Sequence, residues 1–310
     1  MQGVRSVAGS IALTALGPTL SHEHIVIASP GMRESYPDTY DRAAIVELAI
    51  SQMRQLRRQG IRTILDHTTY DLGRDVDLLA TVSRMSRINI VCATGVWESV
   101  PRFFQLRKPA EVAELFVRDI EVGVAGTGIR AGFVKCAVDA HGLNPYTEII
   151  ALAAALTQRA TGVPISTHTD ARSESGIELL DVLERAGAQL SRVVVGHSGD
   201  TDDMSYLLRL LDRGCYLGMD RFGVEETLAD GERVEVVAEL CRRGHASQLL
   251  LSHDSACWSD RMSEEARVQL RPHWVMSAMH DRVLPALARA GVSKAQLQTM
   301  LIENPRRLFG

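Results

Sequence analysis

Eight short runs of mostly apolar, β-branched-rich residues recur along the chain, at 16–29, 61–68, 88–95, 130–139, 163–170, 192–200, 214–223 and 248–255. Longer amphipathic stretches lie between them, among them 41–60, 148–162, 175–188 and 203–214. Their apolar residues return at the three- and four-residue spacing of a helix. Several of these stretches end in glycine just before the next run, as at Gly60, Gly162 and Gly214, the place of a helix C-cap. Strands that are apolar nearly throughout, alternating with helices, call for a parallel sheet covered by helices. Eight such units in 310 residues match an α/β (β/α)8 TIM barrel. No shift of composition marks a boundary, so residues 1–310 are expected to form one domain. The structural rival, an open doubly wound sheet, calls for a glycine-rich phosphate loop after the first strand, and none is present.

The polar residues fall where such a barrel would use them. Five of the runs carry a distinctive polar side chain at or just past the C-terminal end of the apolar strand: Lys135, His168, His197, Asp220 with Arg221, and Asp254. Those ends share one face of a (β/α)8 barrel, the face that carries active sites. The first run, "LGPTLSHEHIVIAS", adds His22 and His24, which a strand turns to the same side while Glu23 turns away. Imidazoles with a carboxylate and no thiolate suit Zn²⁺, Mn²⁺, Fe²⁺ or Co²⁺ in a hydrolytic site. Four histidines and an aspartate exceed the three protein ligands usual for one catalytic ion. Two ions roughly 3.5–4 Å apart, bridged by a hydroxide nucleophile, would use them all. Lys135 fits among cations only if its charge is removed.

Composition narrows the partners. With a net charge of −4, nothing points to nucleic acid or an anionic membrane surface. No apolar stretch approaches the roughly 18 to 20 residues that span a bilayer. The opening residues are read as mature protein, because their apolar stretch is short and interrupted and the HEH pair follows directly. Five cysteines without a CxxC spacing fit buried thiols in a reducing, cytoplasmic setting.

The ordered set HxH, Lys, His, His, Asp, in "SHEHIVI", "GFVKCAVD", "ISTHTDA", "VVGHSGD" and "LSHDS", resembles the phosphotriesterase family of the amidohydrolase superfamily. The likeness runs from "LGPTLSHEH" to the ending "MLIENPRRLFG". It implies a carboxylated Lys135 that bridges two divalent metals, zinc foremost, with cobalt, iron or manganese as other choices. His22, His24 and Asp254 would hold the buried metal, and His168 and His197 the exposed one. Asp254 would also move the proton from nucleophile to leaving alkoxide. "GMDRFGVE" is similar to the lactonase branch, where an Arg follows the Asp, here Arg221 after Asp220. Trp97 stands where many lactonases carry Tyr and triesterases carry Trp. The resemblance therefore implies hydrolysis of lactones, N-acyl homoserine lactones among them, with promiscuous action on phosphotriesters and esters. An organophosphate triesterase or aryl esterase is the runner-up, and a non-catalytic metal-binding barrel the remote alternative. Trp97 and Arg221 are expected to line the substrate pocket, with Cys257 and Trp258 on a long loop after the last strand that caps it. A homodimer is implied by the resemblance alone. The other histidines, His67, His141, His245, His253, His273 and His280, are read as ordinary packing or surface residues, with His253 pointing away from Asp254.

Overall fold

The fold is a (β/α)8 barrel, seen in a computed structural model that describes residues 3–310. A two-stranded antiparallel hairpin comes first, β1 (Val4–Ser6) and β2 (Gly9–Ile11). The barrel strands are β3 (Thr19–Ile27), β4 (Thr63–Asp66), β5 (Asn89–Gly95), β6 (Phe133–Ala137), β7 (Ile165–His168), β8 (Val193–Val195), β9 (Tyr216–Met219) and β10 (Leu249–Leu251). Each pairs in parallel with the next, from β3 to β10. Between β10 and β3 the ring is closed by Ser21 Oγ donating to Leu251 O at 3.2 Å and the His22 N–H donating to Ser252 Oγ at 2.9 Å. A further strand, β11 (Ala256–Ser259), runs parallel beside β3 with Ala256 opposite His24.

Helices cover the outside for the reasons their sequences give. The helix Arg42–Arg58 starts at Asp41, whose carboxylate accepts from the Ala44 N–H, and it buries Ile45, Ala49, Met53 and Leu56 on one stripe. Helix Pro145–Thr161 begins with Asn144 as cap and proline in its first turn, and it ends at Gly162 in the left-handed conformation. Helices Ser175–Arg185 and Met204–Asp212 fall within the stretches read as helical from their periodicity.

The interior is layered, and the layering positions the site. At the N-terminal end of the barrel, Leu65, Val91 and Phe133 pack with Val4 and Leu16 into an apolar plug, against which Ile11 of the hairpin rests. Because side chains alternate along a strand, the residue two positions on faces the same interior. Phe133 is thus followed by Lys135, Leu65 by His67, and Leu250 by Ser252. The polar layer sits on an apolar floor at the C-terminal end. Gly218 opens space in this layer, since a Cβ there would meet Asp220 Oδ2 at 2.6 Å and Gly196 Cα at 3.1 Å.

Two expectations change. The hairpin β1–β2 was not foreseen, its strands being only three residues long. Cys257 and Trp258 do not lie on a loop: they belong to β11, and the long connection starts after Ser259. All five cysteines are buried free thiols. No helix among the described residues is long and apolar enough to cross a membrane.

Candidate active site

Six side chains from the strand ends meet at the C-terminal mouth. His22 Nε2 and His24 Nε2 each lie 3.2 Å from Asp254 Oδ1, and Lys135 Nζ lies 3.3 Å from His22 Nε2. On the outer side, His197 Nε2 is 2.8 Å from His168 Nδ1 and 3.9 Å from Asp254 Oδ2. His197 and Asp254 both take left-handed backbone conformations, φ +60° and +56°, which turn their side chains inward past the ends of β8 and β10. Such angles are unfavourable for residues other than glycine and persist only where the surroundings hold them.

Hydrogen bonds fix which ring nitrogens carry protons. Asp220, at the end of β9, lies 2.8 Å from His22 Nδ1 and 3.0 Å from His197 Nδ1. A carboxylate acceptor requires both nitrogens to donate, leaving Nε2 with a lone pair. His24 Nδ1 is 2.9 Å from Thr68 Oγ1, whose own proton goes to Val26 O. His24 therefore donates to the hydroxyl and also turns a bare Nε2 inward. The result is two imidazole lone pairs each 3.2 Å from one carboxylate oxygen, with Lys135 Nζ the donor beside them, 3.3 Å from His22 Nε2. These buried acceptors exceed what one amine can satisfy, and a metal cation among them would relieve their repulsion. The donor set thus fits divalent metal, with His22, His24 and Asp254 on one side and His168 and His197 on the other. Asp220 also lies within reach of His22 and His197 as a possible ligand trio. Its oxygens are already engaged by both Nδ1 groups and by the His197 N–H, so it orients ligands rather than ligating.

Burial sets the charge states. It pulls His22 down to about 3 and His168 to about 4, so both rings are neutral and ready to ligate. Burial opposes ionisation of the Asp220 carboxyl, but the imidazoles of His197 and His22 overcome it and hold the group well below the usual range. Asp254 is likewise held down against burial by His22, His197, His24 and Arg221. Lys135 is pulled down to about 8 by burial, against the attraction of Asp254.

A cavity of about 1030 Å³ opens over this cluster, and Trp97, Arg221, Cys257 and Trp258 all line it. Trp97 stands edge-on to His168, ring centres 5.6 Å apart. Arg221 does not pair with Asp220 or Glu225. It donates to Asp254 Oδ2 at 3.2 Å and to Asp200 Oδ2 at 2.8 Å. Asp200 in turn accepts from the fully buried Arg233 at 2.8 Å.

Comparison with known proteins accords with this geometry. The model of the phosphotriesterase family matches residues 2–309. The chain belongs to the phosphotriesterase family. It is 42% identical to a "Phosphotriesterase homology protein" of Mycobacterium tuberculosis, covering 100% of this chain and 98% of that protein. The solved structure described as the phosphotriesterase from Mycobacterium tuberculosis superposes with a TM-score of 0.96 at 42% identity, over 99% of this chain and 98% of that one. An "Aryldialkylphosphatase" of Saccharolobus solfataricus is 33% identical, covering 97% of each chain. As a member of this family the chain is a hydrolase acting on ester bonds.

Several roles around the site escaped the sequence reading. The sequence singles out Asp220 as a carboxylate at a strand end, but not its part in orienting His22 and His197. Thr68, Asp200 and Arg233 carried no signal, because their part depends on three-dimensional neighbours. His67, read as ordinary packing, stacks on His22 with ring centres 3.7 Å apart and is held by Ser166 Oγ at 2.8 Å. Burial lowers it well below the ordinary histidine value, so it adds a neutral face beneath a candidate ligand.

Proposed function

We propose that this phosphotriesterase-family hydrolase is a binuclear-metal lactonase, N-acyl homoserine lactones being one class to test, with slower action on phosphotriesters and aryl esters. The observation that carries the metal reading is the convergence of His22 Nε2 and His24 Nε2 on Asp254 Oδ1, each at 3.2 Å. Arg221, in the place where the resemblance puts the lactonase arginine, supports the choice of substrate. Two divalent ions, zinc foremost by the resemblance, would supply electrophilic activation of a carbonyl or phosphoryl oxygen and would acidify water.

The chain's residues supply the rest. Asp254 accepts the proton released by the attacking water and returns it to the leaving alkoxide. The oxygen suited to this is Oδ2, which faces Arg221, while Oδ1 faces the two imidazoles. Arg221 and Asp200 keep that carboxylate in register. Trp97 and Trp258 offer apolar walls to an acyl chain or aryl group. The names of the relatives favour a second reading, triester hydrolysis as the main activity. On one preparation, kcat/KM for a panel of lactones is expected to exceed that for paraoxon by at least about tenfold, a barrier difference of about 1.4 kcal/mol. A triester preference of orders of magnitude would reverse the ranking.

Carboxylation of Lys135 requires the neutral amine, since only its lone pair attacks CO₂. A group pulled down to about 8 is mostly protonated at pH 6 and mostly neutral at pH 9. Reactivation of metal-free protein by Zn²⁺ or Co²⁺ should therefore depend on dissolved CO₂. Its rate at fixed CO₂ should rise with pH up to about 8 and then level off. A rate independent of CO₂, or one still climbing toward pH 10, would speak against this role.

A further inference from the structure

Five arginines line the cavity: Arg33, Arg221, Arg261, Arg267 and Arg271. Four are neutralised by carboxylates. Arg33 pairs with Glu34 and Asp75, Arg221 with Asp200 and Asp254, Arg267 with Glu264, and Arg271 with Glu226. Arg261 has no such partner among the described residues, and its backbone N–H bonds Ser259 Oγ. The nearby Glu98 feels the charge of Arg261, which lowers its carboxyl, but burial and a hydrogen bond to Asp139 outweigh it and raise the group, and the two side chains form no ion pair. The carboxylate of Asp260 accepts from the Ser29 N–H.

Arg261 is nevertheless held in place. Its guanidinium lies over the Trp97 ring, 4.8 Å from the ring centre, and that ring stands edge-on to His168. A guanidinium lying on an aromatic face uses none of its N–H donors for that contact, because they all lie in its own plane. Arg261 is exposed where it lines the cavity, and the contact with Trp97 pre-orients its guanidinium, free of any ion pair among the described residues, one aromatic ring away from a candidate metal ligand.

We infer that Arg261 receives a carboxylate at the end of the substrate remote from the scissile bond, so that the preferred lactones or esters are anionic. This rests on the hydrolase reading above. The matched guanidinium–carboxylate fork provides both attraction and geometry, which a lysine would supply only in part.

The test compares two para-nitrophenyl esters of equal chain length, the hexanoate and the monoester of adipic acid, on metal-loaded protein. Wild type should favour the anionic ester by about tenfold or more in kcat/KM, as a charge-assisted pair allows. That preference should shrink as ionic strength rises. Arg261→Gln should abolish the preference, and Arg261→Lys should retain part of it. A wild-type ratio near one, or an Arg261→Gln variant that slows both esters in the same proportion, would overturn the inference. Binding is read separately by calorimetry with adipamate and hexanamide, which carry no ester bond. Arg261→Gln should weaken adipamate about tenfold and shift hexanamide far less. Equal adipamate affinity in the two proteins would refute the assignment even if the carboxylate binds, since it would then bind at the metal cluster. Absence of turnover of either ester would count against the hydrolase reading, with the binding data still deciding the role of Arg261.

Discussion

Lys135→Ala is expected to lower kcat/KM for lactone by about a thousandfold or more, roughly 4 kcal/mol of transition-state stabilisation. Lys135 is buried at the strand end, 3.3 Å from His22 Nε2, where the resemblance puts the group that bridges the two halves of the cluster. Its loss removes the group proposed to hold both ions, so bound metal should fall below two per chain. The fold should survive the change. Burial that pulls the amine down to about 8 disfavours its charged form in the native state. At pH 7 that ammonium works against folding, because its unfolded value lies higher. The metal-free variant should accordingly melt no more than a few degrees below metal-free wild type, the small cavity left behind being the opposing effect. Added acetate or propionate should restore part of the rate by occupying the vacated space. Metal content and rate matching wild type would take Lys135 out of the site.

The barrel was legible because each strand is buried on both faces and bounded by glycine or helix caps, so eight apolar runs stand out. The candidate ligands were legible for a related reason. An isolated Lys135 or Asp254 at the end of an apolar run has no role in packing that floor, and each invites a second explanation. What could not be read falls into two kinds. The first is backbone conformation: nothing in "VVGHSGD" or "LSHDS" announces left-handed angles at His197 and Asp254, yet these aim both side chains. The break at Asp254 ends the last run, and the chain rejoins the sheet beyond it as β11, placing Cys257 and Trp258 on a strand. The second is the network that holds the ligands. Asp220, Thr68 and Asp200 act through partners far away in sequence, and Arg221, which lines the cavity, is also tied to two carboxylates.

Glu23→Ala is the second change with a large expected effect, and it acts from outside the cluster. Alternation along β3 puts Glu23 opposite His22 and His24, away from the barrel interior, where it is fully buried. There its Oε1 accepts from Ser252 Oγ at 2.7 Å, from the His253 N–H at 3.1 Å and from His253 Nδ1 at 2.8 Å. Its Oε2 accepts from the Ser255 N–H at 3.0 Å and Ser255 Oγ at 3.1 Å. Every residue it grips flanks Asp254, and Ser252 Oγ also accepts from the His22 N–H. One carboxylate therefore locks the segment that must hold Asp254 at its unfavourable backbone angle, beside the strand that carries the two facing imidazoles. Alanine would leave five buried donors without their acceptor, a loss of about 3–5 kcal/mol and on the order of 10 °C in Tm. Glu23→Gln keeps the shape but turns an amide toward some of those donors, so it should be milder in Tm. Both variants should lose metal affinity about 10- to 100-fold, measured by chelator competition well below their melting temperatures, because Asp254 is free to relax toward ordinary angles. A purely structural Glu23 would lower Tm while leaving that affinity at the wild-type value. Metal binding that weakens in the still-folded glutamine variant identifies the clamp as part of how the site is built.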